Sequence, residues 1–161
     1  MIKINAREIY SAVLLLVISS ILLAATAAEL SSTYTDAYQT EKGAVRLNTG
    51  ELFDTLHTVL LIILGFIGGI QIFRKRTSGW VCGTAVLLFY SFLAVYATVA
   101  LLTTGIMDLW LLLYGIGIAI VLLALIFLLV PSTIKKFRVG IKVIIPTLIL
   151  FMALLTIFIL Q

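Results

Sequence analysis

One cysteine, Cys82, stands in the chain, and it lies inside an apolar segment. A lone thiol closes no intramolecular disulfide and builds no zinc site, so Cys82 reads as a small packing residue. There is also one histidine, His57. It cannot supply the two-histidine face of an HExxH metalloprotease or a haem held by paired imidazoles. No GxSxG nucleophile elbow and no phosphate-cradling P-loop occurs. Charged residues make up only 11% of the chain, against roughly a quarter in a soluble domain. None of them falls near the middle of a long apolar run. Ionisable groups at membrane depth are costly and mark proton relays, voltage sensors and ion-coupled sites, so their absence argues against all three. It weighs less against neutral-solute or lipid handling, which hydroxyls and backbone groups can serve. Ser19, Ser20 and Ser91 lie far in depth from His57, which leaves no serine–histidine pair. We expect no enzyme, no catalytic residue, no cofactor and no metal.

What the chain has is apolar length. Of its 161 residues 63% are hydrophobic, gathered in five segments at about 9–28, 53–73, 80–103, 109–130 and 141–160. Each can cross a hydrocarbon core about 30 Å thick at about 1.5 Å per helical residue. The runs are continuously apolar, whereas a spanning barrel needs alternation. The expected fold is all-α: a polytopic integral membrane protein, residues 1–161 forming one transmembrane domain of five helices in a small bundle.

Charge sets the orientation. Lys3, Arg7, Arg74, Lys75, Arg76, Lys135, Lys136, Arg138 and Lys142 fall on one side of such a five-span chain, nine of the eleven basic residues, opposed only by Glu8. The other side carries Lys42 and Arg46 with Glu29, Asp36, Glu41, Glu51, Asp54 and Asp108. Lys and Arg in short loops stay cytoplasmic, which predicts a cytoplasmic N-terminus and an outside C-terminus. Trp80 and Trp110 read as aromatic anchors at the inner and outer interfaces. The first segment, ending in ATAAE at 25–29, also resembles a signal peptide; the expectation is a retained span. The segment 31–51, with Tyr34 and Tyr38, reads as an outer loop and carries no Asn-x-Ser/Thr acceptor.

Between helices in lipid, close contact requires small residues. The second span offers Gly65 and Gly69 as a GxxxG pair, with Gly68 between them. The third places Thr84, Ser91 and Thr98 at sevens, a face suited to interhelical hydrogen bonds. The fourth pairs Gly115 with Ala119 and Gly117 with Ala124. Pro146 should kink the fifth by removing a backbone donor, and the run after it reads as a lipid-facing or partner-facing surface. Arg74-Lys75…Gly79 and Lys135-Lys136…Gly140 share a spacing, which raises the prospect of a duplicated hairpin.

Two stretches are candidate sites. In the turn KKFRVGIK, Pro131 ends a span and Ser132 caps a short interfacial helix. Ile134, Phe137 and Ile141 dip into the interface there. The candidate anionic-lipid set is Arg74, Lys75, Arg76, Lys135, Lys136 and Arg138. The other stretch is ELFDTLHTVLL, where Asn48 or Thr49 caps the helix and Glu51, Asp54 and His57 form a candidate outer polar site. His57 shares a helical stripe with Leu61, Gly65, Gly68 and Gln71, so it should face the bundle and hydrogen-bond to Asp54 or a neighbouring span.

The pattern is that of a non-catalytic subunit or scaffold in the cell membrane, packed against lipids and against other membrane-protein subunits or further copies of itself. Nucleic acid is no partner, because the cations sit in short clusters between spans. Two alternatives stand behind this. One is an oligomeric transporter or channel for small solutes or lipids, lined by Thr84, Ser91 and Thr98. The other is a quinone-linked or redox accessory subunit using Asp54 and His57.

Overall fold

The computed structural model describes residues 5–39, 49–104 and 109–160, with side chains placed at 5–29, 31, 54–101, 103 and 114–160. The expectations on Lys3, Glu41, Lys42, Arg46, Asn48 and Asp108 lie outside these residues, as do those on the side chains of Tyr34, Asp36, Tyr38, Glu51 and Trp110. Every element among the described residues is helical: α1 (Ala6–Gln39), α2 (Thr49–Phe73), α3 (Thr77–Thr104), α4 (Leu109–Leu129), α5 (Pro131–Lys136) and α6 (Ile141–Ile159).

Four stretches are long and apolar enough to cross a membrane: Ala6–Glu29, Asp54–Phe73, Thr77–Leu101 and Ile141–Ile159. In α4 the described apolar part, Tyr114–Leu129, is shorter. The first helix outruns its expected span. With 34 residues it reaches about 51 Å at 1.5 Å per residue, well beyond a hydrocarbon core. No glycine or proline interrupts the sequence before Gly43, so nothing stops the helix at the change from apolar to polar. Residues 31–39, read above as loop, therefore belong to α1.

The third helix is the centre of the bundle. It packs against α2, α4 and α6, while α1 closes the other side between α2 and α4. Its residues Ala85, Val86, Leu87 and Phe89 are almost fully buried. The sixth helix lies outermost, with Ile149 64% exposed and only Thr147 and Leu154 buried. It is continuous through Pro146.

Glycine sets how closely the helices approach. A Cβ on Gly69 would stand 2.7 Å from Leu16 Cγ and 3.0 Å from the Ala12 carbonyl of α1, and one on Gly65 would overlap the Ser19 hydroxyl. One on Gly68 would stand 2.9 Å from the backbone nitrogen of Gly83 in α3. The three glycines thus serve two neighbours: Gly65 and Gly69 admit α1, and Gly68 admits α3.

The α4–α5 junction shows how the backbone is satisfied around a proline. Pro131 has no N–H to give the Phe127 carbonyl one turn back. The Thr133 hydroxyl takes its place, donating to Phe127 O at 3.0 Å. The next carbonyl, Leu128 O, accepts the Trp80 indole N–H at 2.9 Å. Trp80 is consequently 3% exposed and sits inside the bundle instead of anchoring an interface. From α1, the Ser11 hydroxyl donates to Ala124 O at 2.9 Å and Tyr10 to Ile120 O at 3.3 Å.

Candidate functional site

Three places gather the residues singled out in the sequence: the N-terminal half of α2, the basic end of the bundle, and the α3–α4 face.

In α2, the helical period that carries His57 inward buries it to 4% exposure. Its ring stands edge-on to Phe89, centroids 4.9 Å apart, and tilted against Phe158 at 6.2 Å. Phe158 also meets Phe89 and Tyr96. His57 thus belongs to an aromatic cluster drawn from α2, α3 and α6. The expected hydrogen bond to Asp54 is not formed: Asp54 is exposed, and Nε2 of His57 is buried without a partner. Phe89 holds the ring among the aromatics, while the Asp54 carboxylate stays exposed. The sequence carried no signal for Phe158, which arrives from the far end of the chain.

The hydroxyls of Ser91 and Thr98 do not reach across helices. Ser91 donates to Leu87 O and Thr98 to Ala94 O, each 2.7 Å away on the same helix, the usual recourse of such side chains in apolar helices. Thr84 is 1% exposed, and its hydroxyl has no partner.

All eight described cations lie at the other end. There the start of α1, the α2–α3 turn and the segment 131–142 meet. Glu8 is 1% exposed and forms an ion pair with Lys136 of α5, whose side chain is 11% exposed. Glu8 also accepts the backbone N–H of Asn5 at 3.2 Å, closing the first turn of α1. Lys136 is therefore a tether between α1 and α5, and not an exposed lipid-facing cation. Thr77 donates to the Phe137 carbonyl at 3.2 Å, joining the two basic turns. Phe137 itself is 2% exposed, so it packs into the bundle instead of dipping into an interface, while Ile141 is 76% exposed. Ser132 does not cap α5; Val130 occupies that position with no side-chain bond, and Pro131 follows it.

Both turns end their helices in the same way. Arg76 N–H bonds Gln71 O at 3.0 Å and Lys75 N–H bonds Ile72 O at 2.9 Å; Val139 N–H bonds Ile134 O at 3.0 Å and Arg138 N–H bonds Lys135 O at 3.2 Å. This is the paired cap in which the residue after the helix turns left-handed, usually glycine. Here those residues are Lys75 at φ 55° and Arg138 at φ 51°. The structural match pairs Lys75 with Arg138, two residues out of step with the sequence match of Lys75 to Lys136. The shared turn is thus local geometry, and it does not follow the register of a duplicated hairpin.

On the α3–α4 face, Tyr90, Leu93 and Ala94 oppose Tyr114, Gly117, Ile118 and Val121 across a groove of about 440 Å³. Gly115 and Gly117 are exposed, and a Cβ on either would meet nothing within 4 Å. The small residues of α4 were legible in the sequence, but the two tyrosines flanking them were not.

Among the described residues no group of three or more His, Cys, Asp or Glu side chains is placed to hold a metal ion. The fold defines a class: an all-helical, multi-pass membrane protein by the length and apolar character of its helices. Within that class no family model, curated protein or solved structure matches the chain.

Proposed function

We propose that this chain is a non-catalytic subunit or scaffold of the cell membrane that holds partner membrane proteins against the face between α3 and α4. It crosses the membrane five times, α4 included, with its N-terminus in the cytoplasm and its C-terminus outside. The orientation is supported by the gathering of all eight described cations at one end of the bundle, as loop charge requires.

The observation that carries the reading is the open groove beside Gly117. In α2 the space at the glycines is filled by a neighbouring helix: Gly65 and Gly69 by α1, Gly68 by α3. In lipid, bare small residues let a second helix approach closely, and Gly115 and Gly117 have no such neighbour among the described residues. Tyr90 and Tyr114 flank the gap with large, rigid side chains of the kind that anchor interfaces.

The transporter reading draws no support from α3, whose Ser91 and Thr98 hydroxyls are committed to their own helix. The redox reading draws none from Asp54 and His57, which do not touch through a hydrogen bond.

The test is Gly117→Leu, with extraction in mild detergent from the native membrane. The side chain enters open space, so the isolated protein should keep its thermal stability while the partner ceases to co-purify. Unchanged co-purification of the same proteins would remove the α3–α4 face from the proposal.

A further inference from the structure

We propose that the two basic turns form one binding surface for the phosphate of anionic phospholipids, centred on Lys75 and Arg138. Both residues occupy the left-handed position where glycine is the ordinary choice. Local backbone preference therefore gives no reason for a cation at either place. The turns are also neighbours, joined by the hydrogen bond from Thr77 to the Phe137 carbonyl, so their charges make one surface.

The charge balance of that surface is one-sided. Arg7, Arg74, Lys75, Arg76, Lys135, Arg138 and Lys142 are all exposed. Glu8 is the one acid at this end among the described residues. It is buried to 1% and paired inward with Lys136, so it places no negative charge on the surface. The pair thus does two things: it ties α1 to α5, and it withdraws the acid that would otherwise weaken the field around the turns.

Apolar side chains adjoin the cations. Ile141 is 76% exposed and Ile145 52%, on the first turns of α6 beside Lys142. A ligand with a phosphate and acyl chains meets both parts of this surface, whereas free phosphate meets only the first. Arginine can grip a phosphate with two parallel bonds, and lysine adds a mobile point charge. Clustered cations just inside a membrane-spanning helix are attracted to an anionic leaflet. The site needs the chain to lie in a membrane with this end cytoplasmic; it is independent of the α3–α4 face.

The experiment uses the full chain in nanodiscs. One set holds phosphatidylcholine alone, a second adds phosphatidylglycerol, and a third adds inorganic phosphate to the first. Thermal unfolding is followed in each, and native mass spectrometry records which lipid stays bound after detergent transfer. For the unaltered chain, phosphatidylglycerol should raise the unfolding midpoint and remain bound, while inorganic phosphate does neither. Lys75→Gly with Arg138→Gly should leave the midpoint in phosphatidylcholine equal or higher, because glycine suits the left-handed turn, and should abolish the response to phosphatidylglycerol. Equal retention of both lipids by the unaltered chain would overturn the proposal, even if the variant fails to fold. So would a phosphatidylglycerol response that survives in the variant. A response to inorganic phosphate as large as that to the lipid would assign the surface to a soluble anion instead.

Discussion

Gly68 of α2 and Gly83 of α3 cross so closely that a Cβ on the first would stand 2.9 Å from the backbone nitrogen of the second. Backbone faces backbone there, and no flexible side chain can yield. Gly68→Ala should therefore force the helices apart and cost about 1–3 kcal/mol, the usual range for overpacking. Gly117→Ala adds a methyl group to open space and should leave stability level or slightly higher, because alanine favours the helix. The pair is read by thermal unfolding in detergent; equal midpoints for the two variants would contradict the packing described.

Glu8 and Lys136 make a second prediction. Removing one partner of a buried ion pair strands the other charge, at a cost of about 3–5 kcal/mol. Lys136→Met should destabilise strongly, and adding Glu8→Gln should recover most of the loss. If the two single losses simply add in the double variant, the residues are not coupled.

His57 discriminates between structure and proton chemistry. Its Nε2 is buried and unpartnered, which costs free energy whenever a polar group leaves water without a bond. His57→Phe keeps the ring in the cluster with Phe89 and Phe158 and removes that group. Stability should stay level or rise by about 1 kcal/mol, and complex assembly should survive. Loss of assembly with folding intact would restore a chemical role to this histidine.

Thr133 is tied to Pro131 by the carbonyl the proline leaves open. Thr133→Val removes the donor to Phe127 O while keeping side-chain shape. The expected cost is about 1–3 kcal/mol, the penalty for a buried acceptor without a partner. Thr133→Ser, which retains the hydroxyl, should recover much of it. The same loss in both would place the effect in packing rather than in the hydrogen bond.

The apolar runs made the helices legible, since 20-residue runs without alternation admit one backbone form in lipid. The inward aim of His57 was legible for a similar reason: the helical period places it on the stripe of Leu61, Gly65 and Gly68. Its partners were not. Phe89 and Phe158 come from other helices, and one chain's periodicity says nothing about which faces meet. Trp80 and Phe137 misled because both sit beside cations, where an aromatic usually marks an interface. Burial won in each case, through the open Leu128 carbonyl for Trp80 and through packing into the bundle for Phe137. Glu8 was visible as the single acid among the cations of the basic end, but its pairing with Lys136, 128 positions away, depends on how α1 meets α5.

In the proposed assembly a partner's helix lies in the groove between α3 and α4. Its most direct test is a photo-crosslinking phenylalanine analogue placed at Tyr114 in the native membrane, with the same group at Ile149 of α6 as control. Both positions are exposed, Tyr114 by 43% and Ile149 by 64%, but only Tyr114 lines the groove. A discrete polypeptide adduct should form from Tyr114 and none from Ile149. Lipid adducts alone from both positions, or the same polypeptide from both, would contradict it.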